Sequence, residues 1–567
     1  MPHTKPICLP AVVASLGLTA LSSAQTLPPF DAGKALQESR PVQPDVPRKP
    51  PAEPVIIQKE DKPLALPAGQ TLMVHAFRFE GAELMAEADL QAAVASFKGK
   101  ALSMSDIEQA ASAVTALFRQ RGYLVARAYV PKQDASAGTL TIRVIVGQYG
   151  KVSIQNHSRV RDERVAGYFS AFGGERAITR ADLERVMLLV NDLPGAAMPK
   201  LSISPGAAPG TSDFDVEVGE GPRFGGYVRF DNLGSHYTGV NRLSVGGDYL
   251  SPFRLGDKLS FSAMSSESGG LLNGRAAYAL PLGSHGLQGE LAWGRTTYQL
   301  GQAYADLDAT GYADTAELTL SYPLLRGRER NLVLSLNLAN RHMRDELRSV
   351  DDVTTKRANA ASFLVNHERF GQLFGLDGYA SVGGGLTLGY LSVGDDAHRA
   401  SNIAGVDSVG RYGKVSLSAS GRLSLTDKLS VSSSVSMQKA LFDKNLDTSE
   451  QLTISGTSGV MAFEQAASGD NGYVLGLEAR YTLPRMGGID HAIGAFVNHG
   501  YVALQNNSWV STAGHGTVEI SDAGLAYTLA YAKFYARIQT AYVVGGWPAG
   551  LTADGHTRTS VVAGLVF

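Results

Sequence analysis

Over the last three fifths of the chain, from about residue 222 to Phe567, apolar residues recur at every second position and no apolar run is long enough to form a membrane-crossing helix. Leu332, Leu334, Leu336 and Leu338 interleave with Val333, Ser335 and Asn337, and Leu429, Val431, Val435 and Met437 alternate with Ser430, Ser432, Ser434 and Ser436. Successive side chains of a β-strand point to opposite faces, so each strand has one apolar and one small, polar face. A soluble sandwich alternates in the same way. Length decides between the two, because some 350 residues hold about sixteen strands of roughly ten residues each, the proportions of a transmembrane barrel. A bilayer satisfies backbone polar groups only in helices or closed barrels, and a helix needs about 20 apolar residues. The expected fold is therefore an all-β membrane barrel over 222–567. The 63 glycines suit a curved wall. The closing run Thr559-Ser560-Val561-Val562-Ala563-Gly564-Leu565-Val566-Phe567 ends on an aromatic, as the last strands of outer-membrane barrels do, which makes Phe567 the expected signal to the barrel assembly machinery.

The N-terminus fits that destination. Lys5, the largely apolar run Ile7–Leu21 and the small residues Ser22-Ser23-Ala24 predict a signal peptide over 1–24, cut before Gln25. The single cysteine, Cys8, falls inside it, so the mature chain has no thiol for disulfides, nucleophilic catalysis or metal binding. Lys+Arg 51 against Asp+Glu 53 gives a net charge of -2 and no basic field, which argues against a nucleic-acid partner. Residues 25–40 form an extension in which Asp31 is a candidate N-cap for a short helix reaching Ser39; the segment reads as a pore plug or as a disordered terminus. Pro41, Pro44, Pro47, Pro50, Pro51, Pro54, Pro63 and Pro67 mark 41–70 as an extended linker that resists helix and strand.

Two small α/β modules are expected next, over 71–148 and 149–221. In the first, Phe77 and Phe79 alternate on a strand before Gly81, while Leu90, Val94 and Phe97, then Ile107, Ala111, Val114 and Phe118, recur at helical spacing. Ser105 to Glu108 has the form of a capping box and Gly122 a helix stop. Strands are expected over Leu124–Val130 and Thr139–Val146. In the second, Leu183, Val186, Met187 and Val190 predict a helix beginning after Thr179, and Phe214–Val218 closes the unit.

Several of these segments carry a specific resemblance. Phe-Arg-Phe-Glu-Gly at 77–81, Arg121-Gly122-Tyr123, Val130-Pro131-Lys132-Gln133 and Gly138-Thr139-Leu140-Thr141-Ile142 resemble the first POTRA domain of two-partner secretion transporters, the haemolysin secretion/activation family. Asn191–Gly195, Pro205-Gly206 and Gly210–Asp213 resemble the second. Asp231-Asn232-Leu233-Gly234 with Thr238-Gly239 and Arg242 is similar to the family's motif at the first strand pair, and Asp248–Asp257 to the Pro-containing turn that follows. The resemblance implies an outer-membrane pore of a Gram-negative bacterium whose periplasmic POTRA domains bind an unfolded secreted exoprotein. It also implies a long loop, near 439–471, folded back into the lumen.

The chain departs from that pattern at the loop tip. Gly469-Asp470-Asn471-Gly472-Tyr473 sets the register and puts Val460-Met461-Ala462-Phe463 where the family carries Val-Arg-Gly-Phe or Val-Arg-Gly-Tyr. The partner motif Phe-Xaa-Asp-Xaa-Gly falls on Phe496-Val497-Asn498-His499-Gly500. Met461 and Asn498 thus replace both members of an ion pair, and losing both avoids the cost of about 3–5 kcal/mol for one stranded buried charge. The expectation is a loop held by apolar contacts of Met461 and Phe463 and neutral hydrogen bonds from Asn498, with His499 beside them. Met461→Arg alone should then inactivate, and Met461→Arg with Asn498→Asp should not.

No G-x-x-x-x-G-K-[ST] loop is present and the histidines have no H-E-x-x-H spacing, so the reading is of a transporter that is not an enzyme and needs no cofactor or metal. Outer-membrane lipid is the other expected partner. The rival readings are a barrel-assembly insertase and a non-specific channel.

Overall fold

A computed structural model describes residues 30–40, 50–58, 71–172, 178–207, 211–456, 459–464, 467–507, 516–546 and 555–567. The expected signal peptide, with Cys8, and most of the Pro-rich segment lie outside the described residues. Among the described residues no helix is long and apolar enough to cross a membrane, which says nothing of crossing by strands.

Sixteen antiparallel strands close into a barrel. In chain order they are Phe224–Asp231, Arg242–Leu250, Lys258–Ser266, Leu271–Pro281, Gln288–Gln299, Ala309–Arg326, Arg330–Leu347, Asp352–Leu373, Leu376–Val393, Gly410–Ser424, Leu429–Leu441, Asn471–Thr482, Asp490–Ala503, Thr517–Tyr531, Phe534–Val543 and Thr557–Val566. Closure removes every sheet edge. Large apolar side chains such as Val228, Phe230, Val245, Phe261, Trp293, Leu477 and Ile538 stay exposed on the wall, the surface a barrel presents to hydrocarbon. The closing ladder is short, running from Tyr227↔Val566 to Asp231↔Val562, whereas the seventh and eighth strands pair from Arg330↔Arg369 to Leu347↔Asp352. Phe567 lengthens the seam through two backbone bonds with Gly226, at 2.9 and 3.0 Å.

The first module holds helices Glu87–Val94 and Met104–Gln120 against a three-stranded sheet in which Ala76–Glu80 runs parallel to Thr139–Ile145 and Arg127–Tyr129 antiparallel to it. Its core is the expected one, with Phe77, Leu90, Ile107, Val114, Phe118 and Ile142 buried. The long helix is capped two residues earlier than expected: Ser103 accepts from the Asp106 N–H and the Asp106 carboxylate accepts in return, because Met104 already starts the helix. Gly122 ends it at φ +96°. The second module packs helices Asp162–Phe172 and Arg180–Asn191, the latter capped by Thr179, on strands Gln148–Asn156, Lys200–Pro205 and Thr211–Val218.

One part of the segment read as a spacer departs from that reading. Val55–Gln58 is a strand, paired in parallel with Lys200–Pro205 at the edge of the second module's sheet. Its four residues contain no proline, so every N–H is available to a ladder. The second module is seated on turns between strands at one end of the barrel. Arg326 binds Asp192 through two bonds of 2.7 Å, Arg185 donates to the Pro323 carbonyl at 2.7 Å, and the Arg161 N–H donates to the Arg254 carbonyl at 2.9 Å.

Candidate gate inside the barrel

The lumen is occupied from two directions. Ala32–Glu38 forms a helix inside the barrel, N-capped by Asp31 as its sequence predicts, and Phe30 packs edge-on against Tyr298 of the fifth strand at 5.3 Å. The loop between Leu441 and Asn471 folds back over this helix from the eleventh and twelfth strands.

The helix is held by apolar packing of Phe30, Ala32 and Ala35 against the barrel wall at Met264, Leu271 and Met343, and by a set of polar contacts. Asp31 takes the Thr448 hydroxyl at 2.7 Å and Lys356 Nζ at 3.0 Å, and Lys356 also reaches Asp447 at 3.0 Å. Burial would push the Asp31 carboxyl up, but the Lys356 ammonium and the Thr448 and backbone bonds prevail and hold it at about 2. The Ala32 N–H donates to Asp345, Gln37 donates to the Thr448 and Gln451 carbonyls, and Thr453 donates to Gln37. Gly33 has to be glycine here, since a Cβ would lie 2.4 Å from Thr448 Oγ1 and 2.6 Å from the Ser449 backbone nitrogen.

The loop is anchored by carboxylates. Glu450 is buried against Arg341, Lys414 and Tyr412. Here too burial acts to raise the carboxyl, and Lys414 and Arg341 overcome it to set it at about 2. Asp470, fully buried, accepts the Leu446 and Asn506 N–H groups and the Gln451 amide, so the segment used to set the register is itself an anchor. Gly469 lies in a two-residue strand paired with Leu452–Thr453, and Gly472, opposite Val502, is the second residue in the ladder of the twelfth strand with the thirteenth, which Asn471 begins.

At the tip, Val460, Ala462 and Phe463 are buried with Ile454, Phe496, Val502 and Ile520, and Gly500 lies directly beneath Ile454. The Met461 sulfur accepts from Gln539. The sequence-based account of the lock needs two corrections. Asn498 reaches the tip only through a carboxylate: its amide donates to Asp522 Oδ1 at 2.8 Å, and Asp522 Oδ2 accepts the Ala462 N–H at 2.8 Å. A carboxylate is therefore present, displaced one strand along, on a residue that the motif comparison did not reach. His499 is not part of the lock either. Strand alternation turns it away from Asn498, and it contacts Ser521 and Tyr473 instead.

The first-strand motif joins these parts. Asp231, fully buried, accepts from Arg242 Nε at 2.7 Å, Arg229 Nε at 3.2 Å and the Leu233 N–H. Arg242 also donates to the Glu38 carbonyl at 3.0 Å, which ties the end of the lumen helix to the first strand pair. Asn232 crosses the seam, accepting from the Val561 N–H at 2.7 Å and donating to the Thr559 carbonyl. Gly234 bonds back to Val240; Thr238 is buried with its carbonyl taken by Ser266, and Gly239 turns at φ +107°. Arg558 on the last strand reaches the carbonyls of Asn232, Gly234 and Phe463, so seam, motif and loop tip share one side chain. Among the described residues no group of three or more His, Cys, Asp or Glu is placed to hold a metal ion.

Residues 210–518 match the family described as haemolysin secretion/activation protein ShlB/FhaC/HecB, and 72–147 match the ShlB-type POTRA domain. Among curated proteins, the heme/hemopexin transporter protein HuxB of Haemophilus influenzae is 26% identical over 455 residues, 78% of this chain and 77% of its own. The outer membrane transporter CdiB of Dickeya dadantii is 26% identical over 505 residues, covering 87% and 86%. Among solved structures, CdiB from Escherichia coli superposes with a TM-score of 0.70 at 21% identity over 94% of this chain and 95% of that one. BamA from Haemophilus ducreyi lacking POTRA domains 1–3 gives 0.51 at 13% identity, covering 88% and 100%. At these identities the two structures speak for the fold alone.

Proposed function

The chain belongs to the ShlB/FhaC/HecB family of haemolysin secretion/activation proteins, and from that premise we propose how it moves its partner exoprotein across the outer membrane. It is an outer-membrane transporter of two-partner secretion with its POTRA domains in the periplasm. Those domains take hold of the unfolded exoprotein by β-augmentation, in which an extended segment adds to a sheet edge through main-chain hydrogen bonds. Main-chain bonding tolerates varied sequence, as a long unfolded cargo requires. The barrel then conducts the segment outward, and folding of the cargo outside supplies the drive.

The observation that carries this reading is the occupied lumen. Helix 32–38 sits in a preformed pore, attached by side-chain hydrogen bonds and ion pairs that can be exchanged one at a time. The loop tip, the Asp522 anchor and the first-strand motif act as the lock that keeps the loop folded inward. Outer-membrane lipid packs on the exposed apolar wall, and Phe567 serves the barrel assembly machinery during insertion. The test compares the proteins of the culture medium and cell surface with and without this gene. Loss of one large exoprotein, with other barrels unchanged, supports the proposal. A broad loss of barrels would favour the insertase, and no change in either would favour a non-specific channel.

A further inference from the structure

We propose that Val55–Gln58 is an internal stand-in for the exoprotein, a strand that occupies the open edge of the second POTRA sheet until an extended segment of the partner displaces it. This deepens the transport reading above and rests on it. Lys200–Pro205 has a neighbour on one side only in Thr211–Val218, and its other side is covered by Val55–Gln58 in the register Val55↔Lys200, Ile56↔Leu201, Ile57↔Ser202 and Gln58↔Ile203. Ile56 packs against the module's core beside the buried Leu201 and Ile203, while Val55 and Ile57 remain about half exposed. This is the geometry of a bound peptide, with main-chain rungs for affinity and one apolar pocket for selectivity.

The strand is held weakly. It has four rungs, and parallel pairing is slightly less stable per residue than antiparallel. The remaining anchors are ion pairs of Glu53 with Arg180 at 3.3 Å and Arg328 at 3.2 Å, both solvent-exposed and therefore of small effect. An incoming strand would restore each main-chain bond that it breaks, so the exchange is governed by strand length and by the side chain entering the Ile56 pocket. The expected partner segment is unfolded and extended, runs parallel to Lys200–Ile203, and carries a branched apolar residue between two that tolerate water.

The position of the strand also couples capture to the gate. With Val55–Gln58 docked, the chain from Arg40 to Val55 spans at most about 50 Å; with it released, the tether from Arg40 to Thr71 reaches about 100 Å. Occupation of the edge by cargo thus gives slack to the lumen helix.

The register suggests a clean test. Ile57 and Ser202 face each other across the ladder, and the chain's one cysteine, Cys8, lies in the segment expected to be removed on export, so Ile57→Cys with Ser202→Cys installs a reducible staple. In cells, the oxidised double variant should fail to secrete the exoprotein, reductant should restore secretion, and each single variant should behave as wild type. With purified full-length transporter, a fluorescent peptide Glu-Pro-Val-Ile-Ile-Gln-Lys, a copy of residues 53–59, should bind Ile56→Asp about tenfold more tightly than wild type, the ratio of a millimolar effective concentration to a peptide Kd of about 0.1 mM. The gain comes from removing an intramolecular competitor of about millimolar effective concentration. The stapled form should not bind the peptide. Undiminished secretion by the stapled variant, or equal peptide affinity for Ile56→Asp and wild type, would overturn the strand's role while leaving transport intact. A wild-type transporter that secretes no specific protein would overturn the transport reading itself.

Discussion

Asn498 and Asp522 face each other across the thirteenth and fourteenth strands, amide to carboxylate at 2.8 Å, and the carboxylate's second oxygen holds the loop tip through the Ala462 N–H. The ranking of the two residues follows. Asp522 binds the loop and Asn498 orients Asp522, so Asp522→Ala should free the tip and lower secretion sharply, while Asn498→Ala should have a smaller effect. Both bonds are to one buried carboxylate, each worth about 1.5–3 kcal/mol; Asp522→Ala removes both, whereas Asn498→Ala removes one and leaves the bond to the Ala462 N–H in place. Secretion and protease accessibility of the loop, read together, would check the order; equal effects of the two substitutions would contradict it.

The same carboxylate reverses the expectation for Met461. Read from sequence alone, an arginine at 461 would be stranded without a partner. With Asp522 already at the tip, Met461→Arg should be tolerated, whereas Met461→Arg with Asp522→Asn should lose secretion, because a stranded buried charge costs about 3–5 kcal/mol. Secretion assays of the two variants decide it, and loss of activity in the single variant would count against an available Asp522.

Close packing between Gly33 and the loop gives a conductance prediction. Any side chain at 33 collides with the Thr448 hydroxyl and the Ser449 backbone nitrogen, and backbone cannot give way as a flexible side-chain end can. Gly33→Val should therefore unseat the helix and open the pore, measured as a larger single-channel conductance in planar bilayers than wild type. Unchanged conductance would mean that the helix does not obstruct the current path.

Much of this was legible in the sequence because strand alternation and helix caps are local signals. The alternation around Leu332–Leu338 and Leu429–Met437 announced the barrel, and Asp31 and Thr179 marked helices that do begin beside them. Two features were not legible. Asp522 lies 24 residues from Asn498, and only strand register makes the two neighbours; no spacing rule along the chain links them. Val55–Gln58 sits in Pro-rich surroundings that argue against a strand, yet a pre-existing sheet edge supplies a template that overrides local composition.

The seam invites a test of Phe567. Its ring lies where a Cβ on Gly226 would sit, 2.8 Å from two ring carbons, so the aromatic covers the glycine gap beside the short closing ladder. Phe567→Ala should lower the amount of folded barrel in the outer membrane, and Gly226→Val should do the same by displacing the ring. Heat-modifiable migration of the barrel in electrophoresis reports the folded fraction; full folding of both variants would remove the seam from the account.

The lumen helix should also respond to pH, through Glu38. Burial raises its carboxyl to about 7; Arg242, Lys34 and Arg558 pull it down and Glu464 pushes it up. Glu38 Oε2 is buried without a hydrogen-bond partner. When the helix leaves the lumen, the carboxyl returns to its ordinary value near 4.5. The seated form therefore binds the proton more tightly, so seating is favoured below about pH 4.5 and progressively lost as pH rises through about 7. Asp31 and Glu450, both held at about 2, stay ionised throughout pH 5 to 8 and add no slope there. Single-channel records should show more open events at pH 8 than at pH 5, changing no more than about tenfold per pH unit for each linked proton. Glu38→Gln should keep the helix seated and reduce the pH dependence, the remainder belonging to Asp345, the buried carboxyl that accepts the Ala32 N–H, whereas a wild-type pore that opens on acidification over this range would show that another group governs seating.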